Sequence, residues 1–185
     1  MGVNQSETES FERSVLPHLD AGYRLARWLT RSDQDAEDAV QEASLRAFKY
    51  FRTFDGREPR SWFLTIVRNV CHRTHARNRA SHEPFDEERH ATAPDLSDPE
   101  ALASRTDDVA FITRVLNGLP ERFRTILVLR EIEGLAYREL ADVIGIPVGT
   151  VMSTLSRARR AFRDAALSER RESGEAVTHN SVAVG

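Results

Sequence analysis

Tyr137-Arg-Glu-Leu-Ala-Asp-Val-Ile-Gly-Ile-Pro-Val-Gly-Thr-Val-Met-Ser-Thr-Leu-Ser-Arg-Ala-Arg-Arg-Ala-Phe-Arg163 decides the fold, because its spacing is that of a helix-turn-helix. Leu140, Ala141 and Ile144 recur at helical spacing and are expected to face inward, with the small Ala141 where two helices cross. Gly145 can take the left-handed conformation that ends a helix, and Ile146 then plugs the turn. In the second helix Val151, Leu155, Ala158 and Phe162 form one stripe, which leaves Thr150, Ser153, Ser156, Arg157 and Arg160 to face a major groove. A plain helical hairpin with a basic face is the alternative. It would not require the turn chemistry of Gly145 and Ile146.

Working outward, apolar residues recur at three- and four-residue spacing throughout, and no long stretch alternates with period two. The chain is therefore expected to be all-α, with helices near 11–29, 33–52, 59–79, 108–117, 121–132, 137–144 and 148–167. Residues 81–107 carry Pro84, Pro94 and Pro99 with few large apolar side chains and read as a flexible acidic linker. The expected organisation is a disordered 1–10, a small helical domain over 11–80, the linker, a second small domain over 108–167 containing the helix-turn-helix, and a disordered tail over 168–185.

The formal net charge of -3 hides a strong asymmetry. Residues 57–79 hold six arginines against Glu58 alone, and 147–163 hold four arginines and no acid. Between them, 81–108 carry nine acids against Arg89 and Arg105. Lys49 is the only lysine, and guanidinium groups suit bidentate contacts to phosphate and guanine, although a genome-wide codon bias would give the same composition. No apolar run approaches the length of a membrane span, and Met1–Ser10 lacks the basic and apolar segments of a signal peptide, so a cytoplasmic protein with no membrane insertion is expected.

Two helices of the first domain have distinct faces. Ala36, Ala39, Val40, Ala43, Ala47 and Phe51 form a stripe, with Asp35, Asp38, Gln41, Glu42 and Lys49 off it. The early acids either complement the helix dipole or present a face to a partner. In the next helix Trp62, Phe63, Ile66, Val67 and Val70 share an arc that must be core. Opposite lie Ser61, Thr65, Arg68, His72, His75 and Arg79, with Asn69 and Arg73 at the flanks, a positive face that either is simply solvated or meets nucleic acid. Just upstream, Tyr50-Phe-Arg-Thr-Phe-Asp-Gly-Arg57 sets aromatics beside cations at an Asp-Gly turn, a composition suited to stacking on unpaired bases. Cys71, His72 and His75 do not converge, and neither a four-ligand zinc set nor a nucleophile with an oriented base can be completed locally. No catalytic residue, metal or cofactor is expected.

Together these blocks resemble the extracytoplasmic-function (group 4) sigma factors of the sigma-70 family over roughly residues 11–167. The resemblance is carried by Asp35-Ala-Glu-Asp-Ala-Val-Gln-Glu42, Arg60-Ser-Trp-Phe-Leu-Thr-Ile-Val-Arg-Asn69, Leu119-Pro-Glu-Arg-Phe-Arg-Thr-Ile-Leu-Val-Leu-Arg130 and Gly149-Thr-Val-Met-Ser-Thr-Leu-Ser-Arg-Ala-Arg159. It implies a non-enzymatic subunit that directs core RNA polymerase to promoter DNA, under the control of an anti-sigma factor. It further implies that Asp35, Asp38, Gln41 and Glu42 meet the polymerase clamp and Leu127 the flap. Phe54, Arg57, Arg68, Asn69 and His72 would meet the melted minus-10 strand, and Gly149, Thr150, Ser153, Arg157 and Arg159 the minus-35 duplex. The acidic linker would follow the path of the nascent RNA. Met152 and Thr154 stand where the family often has basic residues, and Ala136 where it has a capping hydroxyl worth about 1 kcal/mol. An autonomous helix-turn-helix repressor or activator would leave the first block unexplained. An enzyme built on Cys71 and His75 would lose activity on thiol alkylation.

Overall fold

The structure is a computed structural model that describes residues 5–81 and 99–180, with side chains over 5–74 and 107–171. The expectations for 1–4, for the heart of the linker at 82–98 and for 181–185 lie outside the described residues. Among the described residues there are helices and no strand, as the apolar spacing predicts. They are α1 (Gln5–Val15), α2 (Leu19–Thr30), α3 (Asp33–Tyr50), α4 (Pro59–Ser81), α5 (Pro99–Gly118), α6 (Glu121–Leu127), α7 (Tyr137–Ile144) and α8 (Val148–Asn180).

The chain divides into two compact units. One takes in α1 to α4 together with Val128–Met152, and the other α5, α6 and α8 from Ser153 onward. In the first, α2, α3 and α4 pack on one another. The alanine stripe of α3 explains how closely they do so: Ala36, Ala39, Ala43 and Ala47 are all buried, and small side chains let helix axes approach. Ser32 caps α3 by accepting the Asp35 N–H at 3.3 Å, with Asp33 and Asp35 in the first turn. On α4, Phe63, Val67 and Val70 are buried as expected, whereas Trp62 and Ile66 of the same arc are only half-buried. Gly22 of α2 is required here, since a Cβ at that position would lie 2.7 Å from Cε1 of Phe63.

Three elements depart from their expected bounds: α1 opens at Gln5, inside the segment expected to be disordered, and a short turn at Leu16–His18 with Pro17 in it divides the helix expected over 11–29 into α1 and α2. α5 opens at Pro99 inside the segment read as linker, and proline suits a first helical turn, where the missing N–H has no partner to lose. α8 runs on past Ser168 to Asn180, and in the second unit Glu169 pairs with Arg114 at 2.8 Å while the Arg170 guanidinium lies 5.3 Å from the Phe111 ring. Those contacts come from polar residues, which hydropathy alone assigns to solvent. The helix expected over 121–132 is interrupted: α6 ends at Leu127, and Val128–Ile132 form a π-helical turn in which the Glu133 N–H reaches the Val128 carbonyl at 3.0 Å. No helix among the described residues is long and apolar enough to cross a membrane.

Candidate nucleic-acid interface

The helix-turn-helix forms through the turn read from sequence. Gly145 takes φ 76°, and its N–H bonds the Ala141 carbonyl at 2.8 Å, closing α7 in the left-handed conformation. Pro147 opens α8 by offering its carbonyl to the Thr150 and Val151 N–H groups at 2.8 and 3.1 Å. Ala136 gives no side-chain cap, but Glu139 supplies the reciprocal half, accepting the Ala136 N–H at 2.6 Å. The inward face of α7 is corrected in one position: Val143 is buried with Leu140 and Ala141, whereas Ile144 is only half-buried. Val151, Leu155 and Ala158 are buried as the stripe predicts, and Phe162 is half-buried.

The outward face of α8 carries the expected set. Gly149, Thr150, Ser153, Arg157 and Arg159 are all exposed, as are Ser156 and Arg160. Arg157 lies along its own helix, its Nε donating to the Ser153 carbonyl at 3.4 Å and its Nη2 to Thr154 Oγ1 at 3.5 Å, long bonds that a base edge can replace. Gly149 has open space where a Cβ would stand, so nothing within the protein demands glycine there. Met152 is 58% exposed, placing an apolar side chain among the polar groups of this face.

The α4 face is arranged differently from the sequence expectation. Ser61, expected outside, is 2% exposed, and its hydroxyl donates to Glu139 at 3.2 Å; Leu64 is buried as well. Arg68 donates to the Val143 carbonyl at 3.4 Å, and Arg60 to Glu133 at 2.8 Å. The cause is tertiary, since α7 packs along α4 and covers the N-terminal part of its polar face. Asn69 and Arg73 stay exposed, and His72 is half-buried.

The aromatic turn upstream is a built structure rather than a row of free rings. Phe54 stacks on Trp62 with centroids 4.6 Å apart, and Phe11 meets Phe48 and Phe51 edge-on at 5.1 and 5.4 Å. Phe54 is therefore half-buried; Tyr50 is the more open of the two exposed aromatics here, Phe48 being the other, and Lys49 Nζ lies 5.6 Å from the Tyr50 ring. Asp55 organises the turn by accepting the Arg57 N–H at 2.9 Å, and that backbone bond holds its carboxyl below the usual range, the Arg57 guanidinium adding to the effect. Gly56 (φ 80°) and Glu58 (φ 48°) both take left-handed conformations, which aims Arg57 into solvent.

On α3, Asp38 and Gln41 are exposed, while Asp35 is half-buried beside the Ser32 cap and Glu42 is held by Arg46. Leu45, which the sequence reading passed over, is 63% exposed among these groups. Its signal was a large apolar residue off the alanine stripe. It borders a groove of about 510 Å³ between α3 and α4, together with Glu42, Lys49, Tyr50, Asn69 and Arg73. Leu127, expected to face a partner, is 6% exposed and belongs to the interior. Cys71 is buried, and no group of metal-ligating side chains occurs among the described residues.

The family model for sigma-70 region 2 matches residues 15–81, and that for sigma-70 region 4 matches 112–162. The chain is 31% identical over 162 residues to the ECF RNA polymerase sigma factor SigE of Mycolicibacterium smegmatis, across 87% of this chain and 63% of that longer protein. It is 32% identical over 171 residues to the RNA polymerase sigma-H factor of Pseudomonas aeruginosa, across 86% and 88%. With the ECF RNA polymerase sigma-E factor of Haemophilus influenzae it shares 31% over 170 residues, across 85% and 87%. The fold is similar to that of the sigma factor RpoE solved with the anti-sigma factor NepR from Bartonella quintana, with TM-score 0.70, 24% identity, and coverage of 84% of this chain and 95% of that one. CnrH, solved with the cytosolic domain of CnrY, gives TM-score 0.62, 24% identity, and coverage of 83% and 85%.

Proposed function

Because the chain belongs to the extracytoplasmic-function sigma factors of the sigma-70 family, we propose that it is the subunit that directs core RNA polymerase to a particular set of promoters, acting in the cytoplasm and carrying no catalytic chemistry of its own. The carrying observation is the presence of both regions, in order, on one chain. A self-sufficient repressor needs only the second.

The division of labour follows from the exposed groups. The open face of α8 enters the minus-35 major groove, where Arg157 can pair both acceptors of one guanine and Arg159 meets phosphate. Thr150 and Ser153 add hydroxyls to the same face, and Gly149 lets the backbone approach the duplex. At the minus-10 element the strand is melted, so unpaired bases need stacking surfaces and the backbone needs cations. Tyr50, Arg57, Asn69 and Arg73 are exposed for this purpose; Phe54 supports the turn from within, and Arg68 and His72 become readers once α4 is uncovered. Asp35, Asp38, Gln41 and Glu42 offer the clamp an acidic and polar face on α3 with Leu45 as its apolar centre. Buried Leu127 holds the second unit together in this arrangement, and a flap contact there requires that segment to open. An anti-sigma protein covering both DNA faces is the regulator this arrangement calls for.

The test is transcription in vitro from a pooled genomic promoter library by purified core polymerase, with and without the protein. New start sites sharing two motifs at fixed spacing are expected. Tight DNA binding by the protein alone with no new transcripts would overturn the reading in favour of a repressor or activator. Replacing both Asp38 and Gln41 by lysine is expected to weaken binding to core polymerase about tenfold or more, because like charges then face each other in the interface. Retained affinity in a fluorescence titration would remove α3 from the polymerase interface.

A further inference from the structure

Resting on that reading, we propose that the free protein keeps its own minus-10-reading helix closed by means of a latch on Glu133, which must be withdrawn before α4 can meet DNA. Glu133 follows the π-helical turn, and its carboxylate is wholly removed from solvent. It is met from two sides. Arg24 of α2 grips it with both arms of the guanidinium, Nε to Oε1 at 2.7 Å and Nη2 to Oε2 at 2.9 Å, and Arg60 in the first turn of α4 donates to Oε2 at 2.8 Å.

Both arginines belong to the region matched as region 2, and Glu133 belongs to the one matched as region 4. Further contacts follow along α4: Arg60 to Glu133 and Ser61 to Glu139 in the first turn, and Arg68 to the Val143 carbonyl about two turns on. Arg68 is one of the groups that would read the melted strand and Ser61 shares its face of the helix, so the segment Glu133–Val143 covers the N-terminal part of that face while Asn69 and Arg73 stay open. A carboxylate out of water is tolerated only with such partners, which ties its burial to the closed arrangement. The same three-ion cluster adds little net stability, because all three ions regain water on opening. A contact of that kind suits a reversible cover. Core polymerase, holding α3 and α8 apart on its own surface and on DNA, would supply the energy to lift it.

The test uses the full chain and two variants, Glu133→Gln and Arg24→Gln, with a pool of short fluorescein-labelled single strands of random sequence as the probe. Glu133→Gln keeps the side-chain shape, and Arg24 is half exposed, so neither change threatens the fold, and circular dichroism melting checks this. Without polymerase, both variants are expected to bind the strands about tenfold more tightly than the wild type, since each raises the open population. The two substitutions change charge in opposite directions. Removing the Arg24 cation would by itself weaken DNA binding, so tightening by both can come only from uncovering α4. With saturating core polymerase, all three proteins should transcribe alike. Unchanged or weaker strand binding by Arg24→Gln overturns the latch, whatever Glu133→Gln does. Wild-type holoenzyme that transcribes normally while the variants bind no tighter sinks the latch alone; a holoenzyme that initiates nowhere sinks the underlying reading and the latch with it.

Discussion

Phe63→Ala lowers the unfolding free energy of the protein by about 3–5 kcal/mol, read from urea or guanidinium transitions, and its thermal midpoint by roughly 6–20 °C. The ring is fully buried between α2 and α4, and truncation leaves a cavity that neighbouring helices can fill only in part. Against a total of about 5–15 kcal/mol for an ordinary domain, such a loss is severe. Gly22 provides an internal control. A methyl at Gly22 meets Cε1 of Phe63 at 2.7 Å and Val67 at 3.3 Å, so Gly22→Ala alone overpacks the same spot, at a cost of about 1–3 kcal/mol. With the ring removed the methyl has room, and the double variant Gly22→Ala/Phe63→Ala is expected to be more stable than the sum of the two single losses. Additive losses would mean that the two residues do not share one packing contact.

Arg157→Ala is expected to remove about 1–3 kcal/mol of discrimination at a single minus-35 base pair, roughly a fivefold to 150-fold fall in preference. The thermal midpoint should stay where it is, because Arg157 is exposed and, among the described residues, bonds its own helix through two long contacts. The measurement is promoter competition, with every base pair at each minus-35 position placed in turn and transcripts counted. Relaxation confined to one position identifies the base that Arg157 reads. Arg159→Ala should instead weaken all sequences alike and reduce the dependence on salt by about one phosphate contact. Unchanged promoter choice in Arg157→Ala would move base reading elsewhere on α8.

Local chemistry was legible in the sequence, and burial caused by distant segments was not. The turn at Gly145, the alanine stripe of α3 and the two-faced α8 each announce themselves within one or two helical turns, because backbone conformation and helical periodicity are local properties. Ser61 is covered by α7, more than 70 residues away along the chain, and a helical wheel of α4 has no means of including a neighbour. Glu133 is the sharper case: an acid between a helix and a glycine normally reads as solvent-facing, and only its two arginine partners make its burial possible. Phe54 was read as an aromatic for bases, and its stacking on Trp62 gives that ring to the turn itself. Of the candidate site residues, those on the outward face of α8 are exposed as their helical spacing predicts, whereas Arg68 and Leu127 are covered by other segments.

The π-helical turn at Val128–Ile132 carries one residue more than an ordinary helical repeat would need. The rotational register of everything that follows depends on that residue being present. Deleting any one of the five would restore a regular helix and swing everything after it by about 100°, carrying Glu133 away from Arg24 and Arg60. Without that residue neither arginine would meet the acid, so the acid and the two arginines would no longer constrain one another.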